Sequence, residues 1–464
     1  MNMQSVSRKN PRQGILPFVV KQGDGEEVTA RAGLPLVVET ARALGLDTTA
    51  RELFGVPRRE CDFGADQKIE TLCTLIAAGG DRIEDIRTLS EDKGLVRLMG
   101  DSFPSPDALL DFLNEFHDPS CWERRPAEKK AFVPAESKKL KALDAMNHRI
   151  VLQGADRSQK TATIDHDGTI IEAHKRDALL AYEGTRGYQP LVAVWAEEQL
   201  IVAEEFRDGN VAGGEDPLSS AKRAFENLPP WVEARFFRGD SASYYAPLLK
   251  YLVDEQIGFC ISADMTKELR TRCQQLPMNA WMEMEQRETE QVAVAEVEFT
   301  PGDWPKDAKP LRYVALRFTP VQEALLETPS PRYHAVVSNR YELTATALVE
   351  WHRGKAGTIE HVHRVMKDEL GAGVMPSQRF GANAAWFRLN AMTFNLLTVL
   401  KRKALPERYH LARPKRLRFE FFTLAGKLSV HQSQLSAAIS ANPEKTAEII
   451  AAREHLLAMA DSLS

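Results

Sequence analysis

The 464-residue chain has room for about two to four domains and a large core. A net charge of −5 with 43% hydrophobic residues describes a soluble globular protein and excludes a uniformly polybasic nucleic-acid coat, so any DNA-binding surface must come from local clustering. The five cysteines form no C-x-x-C pair, which excludes the usual zinc and disulfide frameworks and suits a reducing cytoplasm.

Residues 1–27 are polar and lack the apolar run of a signal peptide, and they read as a loose arm or first strand. No stretch approaches the roughly 20 apolar residues that span a bilayer, so no membrane partner is expected. From Gly33 to about Gly100 the pattern is helical, with Leu34, Val37, Val38, Ala41 and Leu44, then Ile69, Leu72, Leu75 and Ile76, at helix spacing. Asp107 to Phe116 makes a further short helix. Trp122 to Lys141 is rich in Lys and Arg and reads as a linker or exposed helix.

At Thr161 the period changes to two. Thr163, Asp165, Asp167 and Thr169 share one strand face, and Ile164, His166 and Ile170 the other. Leu191–Trp195 and Leu200–Phe206 read as a hairpin turning at Glu197-Glu198-Gln199. Ala234–Arg238 is a fourth strand, Ser241–Val253 a helix and Gly258–Ser262 a fifth strand. Alternation returns at Val292–Phe299 and Tyr313–Phe318, in what looks like a β-rich insertion, and Tyr333–Ser338 adds a strand. A helical region runs from about Thr344 to Leu370, broken near Gly354–Gly357. The tail reads as helical over Asn383–Lys401, Phe419–Leu428 and Pro443–Leu463.

Three acidic motifs stand out. They are Asp165-His166-Asp167-Gly168-Thr169 on a strand, Arg238-Gly239-Asp240-Ser241 at a strand end, and Glu360 in the helix Ile359-Glu360-His361-Val362-His363-Arg364-Val365-Met366-Lys367. Carboxylates gathered from distant segments can hold Mg²⁺, or Mn²⁺ in its place, beside a phosphodiester. Asp is short and works from a strand, whereas Glu reaches in from a helix. Each acid also has an ordinary alternative. Asp240 precedes a helix and can cap it. Glu360 and Arg364 are an i, i+4 pair, worth only about 0.2–0.5 kcal/mol. Two aspartates on one strand face are less ordinary, since Asp is depleted in strands. His361 and His363 point in different directions and read as surface or DNA-proximal residues, and His166 reads as a packing histidine.

The order Asp, Asp, Glu resembles the DDE transposases of bacterial insertion sequences. The resemblance extends over roughly residues 30–430. It includes Ala78-Gly79-Gly80-Asp81-Arg82-Ile83-Glu84-Asp85, Tyr182-Glu183-Gly184-Thr185-Arg186-Gly187-Tyr188-Gln189-Pro190, Arg207-Asp208-Gly209-Asn210 and Arg379-Phe380-Gly381-Ala382-Asn383-Ala384-Ala385-Trp386.

The resemblance implies an α/β fold: a ribonuclease-H-like catalytic core with a β-rich insertion, flanked by helical N- and C-terminal regions. The implied division is a DNA-end-binding region over 1–150, core over 151–263 and 333–400, insertion over 264–332 and a basic helical region over 401–464. It implies Asp167, Asp240 and Glu360 as catalytic metal ligands in a two-metal mechanism, with Asp165 the alternative to Asp167. Related transposases carry Tyr-Arg-Glu-Lys around the last acid. Lys367 matches its Lys, but Ala356 stands at the Arg position, leaving Arg353 or Lys355 to substitute.

Further DNA contacts are expected from Arg364, Lys401, Arg402, Lys403, Arg413, Lys415, Arg416 and Arg418. The implied reaction is metal-dependent nicking at terminal inverted repeats, then 3′-OH strand transfer into target DNA. The partners are double-stranded DNA and a second copy of the chain on paired ends, in the cytoplasm beside the nucleoid. The alternatives are a Mg²⁺ nuclease of the same fold without strand transfer, or an inactive DNA-binding relic.

Overall fold

The computed structural model describes residues 28–463 apart from 58, 60, 61, 101, 127–129, 177, 182, 307, 322–329 and 433. The expected N-terminal arm, Cys61, Lys129 and Tyr182 lie outside the described residues.

The molecule is organised around a nine-stranded sheet. In chain order its strands are β1 (Thr161–Gly168), β2 (Leu191–Trp195), β3 (Leu200–Glu205), β4 (Ala234–Gly239) and β5 (Gly258–Ser262), then β6 (Met282–Gln286), β7 (Glu290–Val297), β8 (Arg312–Pro320) and β9 (Arg332–Ser338). In space the order is β6-β7-β8-β9-β5-β4-β1-β2-β3. β1 pairs antiparallel with β2 and parallel with β4, β2 antiparallel with β3, and β4 parallel with β5. That five-strand arrangement is the ribonuclease-H-like core. β6 to β9 continue the same sheet beyond β5, through the antiparallel β5–β9 pair. A helix at Lys267–Gln275, capped by Thr266, opens the segment read from sequence as β-rich.

The helices that matter for the site are α1 (Lys138–Gly154), α2 (Pro217–Glu226), α3 (Ala246–Asp254), α4 (Ala345–Arg353), α5 (Ile359–Glu369), α6 (Phe380–Val399) and α7 (Pro443–Leu463). Every residue of α6 is buried, so it is the central helix of the molecule. Its polar residues are committed to partners. The Asn395 side chain accepts from Ile201 N (2.8 Å) and donates to Ile201 O (2.8 Å), while Asn147 of α1 donates to the same carbonyl. Asn227 donates to Val202 O (2.9 Å). These bonds satisfy the outer backbone of β3, an edge strand that would otherwise expose unpaired groups. Arg388 of α6 pairs with Glu204 at the end of β3 and with Glu136 (2.7 Å) before α1.

Two expectations are corrected. Phe419–Leu428 is not one helix: a single wide turn covers Arg418–Phe422, and Gly426–His431 pairs with Gln434–Ile439 as a hairpin. Leu428 is buried between exposed Lys427 and Ser429, a period-two pattern that favours a strand. For Trp122–Lys141 the exposed-helix reading gives way to the linker reading, because among the described residues only Pro119–Trp122 and α1 are helical there. Trp122 stacks on Phe380 with ring centroids 4.8 Å apart, which ties this segment to the start of α6. Among the described residues, no helix is long and apolar enough to cross a membrane.

Candidate active site

β1 and β4 run side by side in parallel, with Asp165 opposite Arg238 and His166 opposite Gly239. Asp167 and Asp240 therefore lie at the same end of this strand pair, each one residue beyond that register, Asp167 still paired with Val192 of β2 and Asp240 just past the end of β4. Asp167 Oδ1 accepts from Gly168 N (2.9 Å), and Asp240 Oδ1 accepts from Ala242 N (3.0 Å). Asp240 does cap the short turn Ser241–Ser243, as the ordinary reading expects. The predicted helix is displaced: this turn separates Asp240 from α3, which starts at Ala246. Glu360 stands exposed in the first turn of α5. A groove of about 730 Å³ is lined by Asp167, Thr169, Gln189, Gly213, Asp240 and Lys367.

Electrostatics link the three acids. The Asp167 carboxyl is pushed up to about 6, chiefly by burial, with Asp240 and Glu360 adding to the rise and Lys355 opposing it. Lys355 Nζ lies 3.8 Å from Asp167 Oδ2, on the turn Gly354–Gly357 that joins α4 to α5. A largely desolvated carboxylate within electrostatic reach of two others favours a cation beside it, and an all-oxygen donor set suits a hard divalent ion. The donor chemistry thus fits Mg²⁺ or Mn²⁺. Among the described residues, no three His, Cys, Asp or Glu side chains are drawn together at metal-ligand spacing. The nearby positive charge at Asp167 is the Lys355 ammonium.

Asp165 stands apart from these acids. It is fully buried, and Arg238 grips it with two parallel bonds, Nε to Oδ1 (2.6 Å) and Nη2 to Oδ2 (2.9 Å). The Thr358 hydroxyl also donates to it. With its oxygens so occupied, Asp165 is corrected from alternative metal ligand to partner of Arg238. Arg238 Nη1 donates to Trp351 O (2.7 Å) at the end of α4. His352 Nε2 donates to Gly239 O (2.9 Å), and burial holds this imidazole neutral, its pKa lowered to about 4. Sequence alone assigns no role to Arg238, Thr358 or His352. The available signal is weak: an Arg and a Thr, each two residues before a proposed ligand.

A family model, the transposase DDE domain group 1, matches residues 16–460. The chain belongs to that family. A search of curated proteins found no match. Among solved structures, the cryo-EM structure of the piggyBac transposase synaptic complex with hairpin DNA is similar over 83% of this chain and 80% of that one, at 12% identity and a TM-score of 0.48.

The basic residues of this transposase divide into two groups. Near the acids, Lys367 lines the groove, Arg364 is exposed on the Glu360 face of α5, and Lys355 faces Asp167. Arg353 pairs with Glu285 of β6 (2.9 Å) and lines a second groove that also contains Asp240. Much of the C-terminal basic run is instead committed to protein partners, although Arg413 and Arg416 remain exposed. Lys401 is buried, donates to Ala412 O (3.1 Å) and is lowered to about 8 by burial. Arg402 pairs with Glu198 (2.6 Å), Arg413 with Glu369 and Arg416 with Glu420 (2.7 Å), while Arg418 donates to Glu369 O. Lys401 is therefore corrected from a surface contact to a structural residue, whereas Lys403 and Lys415 are exposed.

The histidines also redistribute. His363 is buried on the inner face of α5, and neither ring nitrogen meets a hydrogen-bond partner among the described residues. Burial lowers its pKa to about 3, so it is corrected from a surface residue to a neutral core residue. His166 packs in the core near Ser220 and Ser243, as expected of a packing histidine.

Proposed function

We propose that Asp167, Asp240 and Glu360 hold Mg²⁺, or Mn²⁺ in its place, and that the chain cuts and joins DNA at the ends of a bacterial insertion sequence. What supports this reading is the family match together with the groove lined by both Asp167 and Asp240, with Glu360 near enough to add to the rise of Asp167. Bound there, paired divalent ions would activate a nucleophile and steady the leaving oxygen.

The chain's own side chains set the positions. Asp167 and Asp240 are fixed by backbone N–H groups, so their free oxygens need little reorganisation. Lys355 offsets charge beside Asp167, and Arg364 and Lys367 follow Glu360 on one helix face, at spacing suited to a phosphate backbone. In the first step water attacks a phosphorus at the element end, breaking one P–O bond and freeing the element's 3′-OH. That hydroxyl then attacks a target phosphorus and displaces a target 3′-oxygen. No covalent protein–DNA intermediate is involved. The assembly is a homodimer on paired double-stranded ends, beside the nucleoid in the cytoplasm.

The test is cleavage of labelled DNA carrying the element's terminal repeat, with Mg²⁺ or EDTA, by wild type and Asp240→Ala. Metal-dependent nicking lost in the variant is expected, with strand transfer when target DNA is added. Nicking without transfer would favour a nuclease, binding without nicking a relic, and nicking unaffected by the variant would overturn the ligand assignment.

A further inference from the structure

We infer that Asp165, Arg238 and Thr358 form a positioning clamp that sets the three acids relative to one another. The inference rests on the ligand assignment above. Each clamp residue stands two positions before one acid: Asp165 before Asp167, Arg238 before Asp240, and Thr358 before Glu360. On β1 a two-residue step returns to the same face, so Asp165 and Asp167 share one face of that strand, while Asp240 follows the last residue of β4 in extended backbone. One buried carboxylate thus ties together three segments separated by 73 and 193 residues in sequence.

Further contacts hold the clamp. Arg238 Nη1 reaches the carbonyl of Trp351, and its guanidinium lies 5.4 Å from the Trp351 ring. A Cβ added at Gly354 would sit 2.6 Å from Arg238 Nη1, so the glycine lets the Lys355 turn approach the guanidinium. The Thr358 backbone N–H donates to Lys355 O (3.1 Å), which couples the clamp to the turn carrying the ammonium beside Asp167. A buried ion pair seldom stabilises a fold better than apolar packing would. Its place where the two parallel strands meet the approach to α5 gives it a job apolar side chains could not do, which is fixing orientation by directional bonds. Groups that orient metal ligands from behind typically change metal affinity when removed.

The experiment compares wild type with Thr358→Val, Thr358→Ser and the neutral pair Asp165→Asn with Arg238→Gln, which leaves no unpaired buried charge. Three readouts are taken: thermal melting, Mn²⁺ bound to the protein–DNA complex by electron paramagnetic resonance, and nicking of terminal-repeat DNA against Mn²⁺ concentration. The expected result is a rise of about 10- to 100-fold in the Mn²⁺ needed for half-maximal binding and nicking in Thr358→Val and in the neutral pair. Most of kcat should return at saturating Mn²⁺, and Thr358→Ser should behave as wild type. Unchanged Mn²⁺ affinity in both the Val variant and the neutral pair would overturn the clamp, as would a loss of kcat that metal does not restore. Asp240→Asn and Glu360→Gln are run alongside. If they keep Mn²⁺-dependent nicking, the ligand assignment fails and the clamp with it. If they lose it while Thr358→Val binds Mn²⁺ as wild type does, only the clamp fails.

Discussion

Asp240 and Glu360 differ in setting but are expected to be equally indispensable. Asp240 is held at a strand end by Ala242 N, whereas Glu360 is free on an exposed helix turn. If each supplies about 4 kcal/mol to the transition state, its replacement by Ala lowers nicking about a thousandfold, and gel-shift affinity for the element end should persist. Activity within a few-fold of wild type would remove that residue from the site. Asp167 carries a second consequence. Its folded pKa, near 6, lies above the ordinary 3.8, so the folded chain holds a proton that the unfolded chain has released in between. Its contribution to stability is thus fully present below pH 3.8 and lost as pH rises through about 6, on the order of 2–3 kcal/mol. Asp167→Asn should therefore raise the melting temperature in EDTA at about pH 7.5, with the gain vanishing near pH 4. Equal melting of the two proteins at the higher pH would contradict the buried-carboxylate account.

At the scale of elements, the central helix α6 carries the load. Arg388 pairs with Glu204 and Glu136 and also donates to Leu140 O, linking α6 to β3 and α1. Removing one partner of a buried pair leaves uncompensated charge. Arg388→Ala should destabilise the fold by about 3–5 kcal/mol in a denaturant titration, while Arg408→Ala should change stability little, because the Arg408 guanidinium is exposed and its partner Glu448 keeps Lys445. Comparable losses for the two would show that α6 is not the organising helix. The strands following β5 make a second point. They join the core sheet edge to edge through β9, so the elements carrying Asp167 and Asp240 are embedded in one continuous hydrogen-bonded surface.

For the whole molecule, charge placement matters more than charge count. The C-terminal run reads as a basic patch, yet Arg402, Arg413 and Arg416 are each paired with an acid. Lys367 lines the groove, and Arg364 is exposed on the same helix. Neutralising Arg364 and Lys367 together should reduce the slope of log affinity against log salt by about two, one per phosphate contact. Neutralising Arg402 and Arg413 should leave that slope unchanged and lower the melting temperature. The reverse pattern, read by fluorescence anisotropy over a salt series, would move the DNA path to the C-terminal region.

The local signals were legible without any structure. Period-two alternation at Thr161 and Val292, the break at Gly354–Gly357 and the helix spacing of residues 33–100 all depend on neighbours in sequence, and each produced the element it predicts. The family was legible too, because its motifs are a property of the chain, and the family match agrees with that reading. Sequence could not distinguish Asp165 from Asp167, because both lie on the same strand face. Only the partner strand, which puts Arg238 opposite Asp165, makes one a buried ion-pair partner and leaves the other at the groove. The same holds for the burial of Lys401 and His363, whereas the hairpin at Gly426–Ile439 pairs locally and carries its own period-two pattern. Burial is set by the segments that pack over a residue, and no local pattern encodes which surface those segments will cover.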